Sequence, residues 1–301
     1  MGKENSMKLT TIEDLQTLEP EQRKALIECA MQLSTLYLNF KRQLKGGFRY
    51  EVCVPEDKER APGAHASEIS HCNRQLVYSM RGEKRVPPVA GADVNMQMRF
   101  SIGQAVHAML QHELKLMCDW MNQQGGGKCL TFEDEVRINP DSQTLSKELD
   151  LYSSCDGCFT FWFNDLPYLR VGLEIKTKSA PEYDKLAHPG KDHMEQTCFY
   201  MAALDLPLMW LLYYNKSNSN FTKSEPPYLF QFNKDLWAKT LEPRIVKAQY
   251  IAKTVQTPDR QEGMYCSWCP FADSCKPNYL TKPRTGGASP TMTSPGAFRT
   301  R

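Results

Sequence analysis

The apolar repeat of this chain first changes from helical to extended between Gly127 and Thr131, and that change restricts the fold more than any other feature. Before it the spacing is helical. Leu26, Cys29, Leu33, Leu36, Tyr37, Phe40 and Leu44 recur three and four apart after Pro20, a residue suited to a first helical turn, and Gly46-Gly47 ends the run. Ser67 to Met80 reads as a short helix and Met98 to Met121 as a long one that stops at Gly125-Gly126-Gly127. After it the residues are aromatic and branched, and Thr131 to Ile138, Glu148 to Cys155, Cys158 to Phe163 and Tyr168 to Thr177 read as strands. A helix from His193 to Leu204, strands at Leu208 to Tyr214 and Tyr228 to Phe232, and a helix from Lys234 to Thr254 complete an α/β pattern without internal repeats.

Composition narrows the class. The 301 residues are 41% hydrophobic, with Lys+Arg 37 against Asp+Glu 35, which excludes a collagen-like or wholly disordered chain. No apolar run approaches the roughly 20 residues that span a bilayer, and Met1 to Thr10 is too polar for a secretory signal. A soluble, cytoplasmic protein without membrane contact is expected. A net charge of +2 neither advertises nor forbids a nucleic-acid partner, because binding needs a local basic surface. The eleven cysteines are an odd number in a large chain without an export signal, so a disulfide framework is not expected. Cys29, Cys118 and Cys198 lie in apolar surroundings and read as small core residues.

The strands around Asn164-Asp165-Leu166-Pro167 form a predicted hairpin. With its centre at Asp165, Asp156 and Glu174 are each nine residues away and face one another across the ladder. Strand alternation puts Lys176 on the same face and Leu169, Val171, Leu173 and Ile175 on the other. Two carboxylates suit a hard divalent cation such as Mg²⁺ or Mn²⁺, and a neighbouring lysine can orient a water or neutralise a phosphate. Metal-assisted phosphodiester hydrolysis is the chemistry that fits. On spacing alone, a surface Glu–Lys pair and an unrelated turn Asp fit equally well.

Further motifs shift that balance. Cys155-Asp156-Gly157 followed by Gly172-Leu173-Glu174-Ile175-Lys176-Thr177-Lys178 resembles the PD-(D/E)XK nuclease superfamily. Gly103-Gln104-Ala105-Val106-His107 resembles the G-x-x-x-H motif of its RecB-type branch, and Gln196-Thr197-Cys198-Phe199-Tyr200 that branch's Q-x-x-x-Y motif. The resemblance implies a restriction-endonuclease-like core, a mixed central sheet flanked by helices. It also implies that His107, Asp156, Glu174 and the carbonyl of Ile175 hold Mg²⁺ or Mn²⁺, that Lys176 positions the attacking water, and that Gln196 and Tyr200 shape the substrate's approach. His188 and His193 lie near the start of the Gln196 helix, where a solvated-loop role is expected ahead of an approach to the substrate.

Cys266, Cys269 and Cys275 form C-x2-C-x5-C, and three close thiols in a reducing compartment point to a metal or cluster with a fourth ligand elsewhere. Cys72 is the candidate. This one-plus-three arrangement resembles the iron–sulfur nucleases of the RecB and CRISPR-associated type, which implies a 4Fe–4S cluster joining the two ends of the fold. Four thiolates equally suit Zn²⁺, and His71 could replace Cys72 in such a site. Cys155 and Cys158 point to opposite faces of extended chain and read as packing.

The expected organisation is an N-terminal helix and loop over 1–66, a nuclease domain over 67–276 and a flexible basic tail over 277–301. The expected function is a metal-dependent DNA exonuclease of replication, recombination or repair. Its DNA contacts would be Lys178, Lys185 and Arg74, and a helicase or recombination protein would be a partner. Gly125-Gly126-Gly127-Lys128-Cys129 lacks the residues of a phosphate-binding loop, so no nucleotide motif is present. The competing expectation is a non-catalytic nucleic-acid-binding scaffold with a zinc knuckle at Cys266–Cys275.

Overall fold

The computed structural model describes residues 10–44, 60–86, 94–141, 143–217, 228–263, 266 and 269–275. The expected tail at 277–301 and most of the loop after residue 44 lie outside the described residues. The elements run α1 (Ile12–Thr17), α2 (Pro20–Gln43), a 3₁₀ turn (Ala66–Glu68), α3 (Asn73–Met80), α4 (Val94–Gly125), β1 (Leu130–Ile138), α5 (Thr144–Leu149), β2 (Ser153–Phe163) and β3 (Leu166–Lys178). They continue with α6 (Ala180–Asp184), α7 (Lys191–Leu204), β4 (Leu208–Asn215), β5 (Tyr228–Gln231), α8 (Lys234–Leu236), a π-helical turn (Trp237–Leu241), α9 (Glu242–Ala252) and α10 (Ala272–Cys275).

The five strands form one mixed sheet in the order β1-β2-β3-β4-β5. The first three are an antiparallel meander, β4 runs parallel to β3 after the α7 crossover, and β5 pairs antiparallel with β4. One face carries Leu169, Val171, Leu173 and Ile175 of β3, all buried, against Leu33, Tyr37 and Phe40 of α2 and Leu110 and Leu114 of α4. Each such side chain contributes roughly 1.5–3 kcal/mol of burial. The N-terminal helix is therefore part of this core, and Glu113 binds it further: Tyr37 donates to one carboxylate oxygen and Lys41 to the other at 2.6 Å. The opposite face packs on Leu76, Phe199, Leu206 and Ile245 from α3, α7, the α7–β4 link and α9.

Three sequence expectations change. The strand expected at Glu148–Cys155 is preceded by helix α5, whose Leu145 and Leu149 meet the core at helical spacing and which ends at Asp150 in the left-handed region (φ 52°). Cys155 and Cys158 belong to a single strand and are buried in one apolar cluster, not on opposite faces. The helix expected from Lys234 to Thr254 is interrupted by the π turn just before Pro243, a residue that cannot donate an amide to the preceding turn.

Candidate active site

The hairpin between β2 and β3 has a two-residue turn, with Asn164 and Asp165 both at positive φ (50° and 60°). That is the geometry whose twist matches paired strands. Continued directly from this turn, the register would set Asp156 opposite Leu173. A bulge between Phe161 and Trp162 shifts the ladder by one, so Gly157 pairs with Leu173 and the next position brings Asp156 beside Glu174.

The surroundings of Asp156 hold it rigidly. Its Oδ2 accepts the Ile175 backbone N–H at 2.6 Å, and His107 Nδ1 of α4 lies 3.2 Å from Oδ1. One turn on, Gln111 donates to the Asp156 carbonyl at 2.8 Å and to Glu135 Oε1 at 2.9 Å, while Ser154 donates to Glu135 Oε2 at 2.7 Å. Glu135 itself sits at φ 50°. Neither Gln111 nor Glu135 stood out in the sequence; the one available signal was that Gln111 follows His107 by four and shares its helix face.

On β3, Glu174 is 3% exposed. Lys176 Nζ lies 2.6 Å from Glu174 Oε1 and donates to Gln196 Oε1 at 2.7 Å, and Gln196 Nε2 donates to the Tyr200 hydroxyl at 2.8 Å. Thus α7 reaches the strand pair through Gln196 and Tyr200, the two residues that the motif resemblance implied. Burial and the adjacent Asp156 carboxylate push Glu174 up to about 7, against the pull of Lys176 and His107. Burial opposes the charge on His107 and on Lys176. The Asp156 and Glu174 carboxylates respectively outweigh it, so both bases are raised. Burial, then Glu174 and Asp156, hold the Tyr200 phenol far above its usual range.

Two clefts flank this centre, one lined by the two acids and one by His107. One of about 600 Å³ is lined by Asp156, Glu174, Gln196 and Tyr200 together with Arg60 and Arg137. The other, about 630 Å³, is lined by His107, Lys178, Arg99, Phe100 and Lys216. Of the expected DNA contacts, Lys178 therefore stands in a cleft beside His107, whereas Lys185 is exposed at the end of α6. Arg74 spends its guanidinium elsewhere, donating to the Pro258 carbonyl at 2.8 and 2.6 Å and approaching Cys275 Sγ at 3.7 Å. Ile175 turns its side chain into the α2–α4 core, so only its backbone faces the acids. His193 is not solvated as expected: its Nδ1 lies 2.5 Å from the Tyr213 hydroxyl, and burial with Lys176 and Lys178 nearby lowers it to about 4. His188 is exposed.

Among the described residues, no group of three or more His, Cys, Asp and Glu side chains is arranged to hold a metal ion. Glu174 is closed onto Lys176, and Asp156 onto His107 and the Ile175 amide. Glu174 Oε2, however, is buried with no hydrogen-bond partner. An orphaned carboxylate oxygen costs free energy in isolation. With a second carboxylate and an imidazole beside it, it suits a hard divalent cation.

The cysteine segment docks on α3. Phe271, 1% exposed, meets Tyr78 edge-on at 5.6 Å, Arg85 lies over its ring at 5.0 Å, and Val86 N–H donates to Pro270 at 2.8 Å. Cys72 caps α3, its Sγ accepting the Gln75 N–H at 3.4 Å. Burial, then the neighbouring Cys72, Cys275 and Cys266, raise the Cys269 thiol to about 11.

No protein-family model matches the chain, and no curated protein matches it. Among solved structures, SSO0001 is similar at 14% identity and a TM-score of 0.40, covering 83% of this chain and 96% of that one. The alkaline exonuclease LHK-Exo from Laribacter hongkongensis is similar at 14% identity and a TM-score of 0.34, covering 64% and 89%; its complex with dAMP gives 13%, 0.34, 64% and 88%. Superpositions this loose carry neither activity nor substrate over to this chain.

Proposed function

We propose that the protein is a metal-dependent DNA nuclease, an exonuclease that hydrolyses phosphodiester bonds at the Asp156–Glu174 centre. One observation carries this reading: two carboxylates, one with a buried orphan oxygen, stand side by side with a lysine tied to both Glu174 and Gln196. His107, Asp156, Glu174 and the Ile175 backbone would hold Mg²⁺ or Mn²⁺. Such a cation, when bound, supplies Lewis-acid stabilisation of charge developing on a phosphate.

The chain's own residues do the rest. An ammonium has three donors. Glu174 and Gln196 take two, leaving one for the attacking water or a phosphate oxygen. Gln196, fixed by Tyr200, keeps the lysine aimed, and Gln111 keeps Asp156 seated. Arg60 and Arg137 on one side, and Lys178 on the other, supply positive charge for the strand.

The same proposal assigns Cys72, Cys266, Cys269 and Cys275 to a 4Fe–4S cluster with a structural role, Zn²⁺ being the competing occupant. Its support is the nearness of Cys72, Cys275 and Cys266, whose thiols all raise that of Cys269, and the docking of Phe271 beside α3. The ligands at the ends of this loop lie about 200 residues apart, so closing it offsets a large chain entropy. The test of function is degradation of end-labelled DNA with Mg²⁺ or Mn²⁺. Cleavage by the wild type that vanishes in Glu174→Gln supports the reading; a wild type inert with both ions, or a fully active variant, refutes it.

A further inference from the structure

Exposed large apolar side chains need a reason when they gather beside a polar cleft. Phe100 of α4 is 61% exposed and lines the cleft that also contains His107, Arg99, Lys178 and Lys216. It lies seven residues before His107, so the two share a helix face about 10 Å apart along the axis. Between them Gly103 lets α4 approach the end of β3: a Cβ there would stand 3.3 Å from Thr177 Oγ1. The helix thus carries an aromatic ring from the catalytic centre out along the cleft wall, with cations on α4, β3 and the segment after β4 around it. One carboxylate, Glu182, shares the cleft, but it caps α6 by accepting from the Ser179 hydroxyl at 2.6 Å and the Ser179 N–H at 3.0 Å.

An open ring flanked by cations suits a polyanion whose flat groups are accessible. In a duplex both faces of an internal base are covered by its neighbours; in a single strand they are free. We propose that this cleft is a single-strand track, in which Phe100 stacks on a base one or two nucleotides from the scissile phosphate while Arg99, Lys178 and Lys216 hold the backbone. The track rests on the nuclease reading and adds to it the substrate class, DNA with an unpaired end. Stacking tolerates any base, so the track selects strandedness rather than sequence.

The test measures binding of a short fluorescein-labelled single strand by anisotropy in EDTA, where metal-dependent cleavage is silent, beside a cleavage assay of the wild type with Mn²⁺. Phe100→Ala is expected to weaken binding by about 5- to 150-fold, with Phe100→Trp restoring it and Phe100→Leu not. Arg99→Ala and Lys216→Ala should each lower the number of ions released on binding by about one. On the wild-type protein, moving one abasic nucleotide along the strand should find a position whose loss matches that of Phe100→Ala and does not add to it. Unchanged binding by Phe100→Ala, rescue by leucine equal to that by tryptophan (the mark of a protein-docking residue), or tighter binding of blunt duplex overturns the track. If the wild type still cleaves DNA in that event, the nuclease reading stands without it; a wild type that neither binds nor cleaves removes both.

Discussion

Gln111 donates its side-chain amide to the backbone carbonyl of Asp156 at 2.8 Å, from a position one helical turn beyond His107. The same amide reaches Glu135, the residue beside Asp156 on the adjoining strand, whose backbone is held at positive φ. The pairing of β1 with β2 runs through Asp134–Gly157 and Val136–Cys155, and the Glu135–Asp156 position between them is absent from the ladder. Gln111 occupies that gap. It thereby holds the Asp156 backbone, from which the carboxylate reaches the Ile175 N–H and His107.

Gln111→Ala should leave a folded protein with looser positioning of Asp156. The expected result is a 10- to 100-fold fall in the apparent affinity for Mn²⁺, on the order found when partners of a metal ligand are removed. Melting should fall by only a few degrees. Titration of Mn²⁺ by calorimetry, beside a thermal melt, separates the two; an unchanged Mn²⁺ isotherm would refute the positioning role.

Glu174 makes the metal-free protein sensitive to pH in a definite direction. Its carboxyl is raised to about 7 by burial and Asp156, so between the ordinary carboxylate range and about 7 the folded state holds a proton that the unfolded state has lost. The associated stability is fully present below the ordinary carboxylate value and is lost as pH rises through about 7, a contribution on the order of 1–3 kcal/mol. Denaturation in EDTA across this range should show the decline, and Glu174→Gln should flatten it. Cation binding competes with the same proton, so Mn²⁺ should raise the melting temperature more at pH 8 than at pH 6.

Lys176 is held by Glu174 and Gln196 on the same face as the acids. Lys176→Ala should lower the rate of DNA cleavage by about 10²- to 10⁴-fold, the range for removing a positioned proton-transfer or water-orienting group. Lys176→Arg should not recover it, because a planar guanidinium cannot reproduce a point charge in this pocket. Gln196→Ala, which frees the lysine without removing it, should cost less. Single-turnover assays at saturating Mn²⁺ check the order; equal rates for Lys176→Ala and wild type would exclude the lysine from the reaction.

The acid–lysine face was legible in the sequence, but by a route that the structure amends. Counting outward from Asp165 pairs Asp156 with Glu174, and the ladder, which ends at Gly157–Leu173, leaves these two as the next positions along the strands. The turn, however, is centred between Asn164 and Asp165, and only the bulge at Phe161/Trp162 restores the register. A bulge leaves no composition signal, so the count from Asp165 and the bulged register bring the same two residues to adjacent strands by different routes. Lys176 was legible because strand alternation is local, while Gln196 and Tyr200 were legible through their resemblance to a known motif, whose i, i+4 spacing sets both on one helix face. Glu135, Arg60 and Arg137 were not, since they reach the site through tertiary contacts that no short period encodes, and Gln111 on α4 had only its spacing of four from His107. Helix α5 was missed for a related reason: one turn and a half of apolar spacing cannot be told from a strand without its Asp150 cap.

Loss of one cysteine ligand should act on stability rather than chemistry. Cys269→Ala is expected to melt at least about 5 °C lower than the wild type and to lose any visible absorbance shown by anaerobically purified protein. Phe271 would still dock against Tyr78 and Arg85, so the segment should loosen without detaching. A colourless wild type carrying one zinc per chain would assign the thiols to Zn²⁺ instead, and an unchanged melt would deny them a structural role.

Gly157 admits no side chain. A Cβ there would lie 2.2 Å from Phe132 Cζ and 2.4 Å from Cε2, and 3.1 Å from the Glu133 carbonyl oxygen. The Phe132 ring also packs against Phe159, with centroids 4.7 Å apart and planes tilted by 46°. Gly157→Ala should therefore cost about 1–3 kcal/mol, the usual penalty for overpacking. Because the same residue seats Asp156 one position before the paired ladder, cleavage should fall more than stability alone explains. Phe132→Leu in the Gly157→Ala background should recover part of the melting temperature. Denaturant unfolding of the two single variants and the double variant measures this coupling; strictly additive losses would mean that the ring does not dictate glycine at this position.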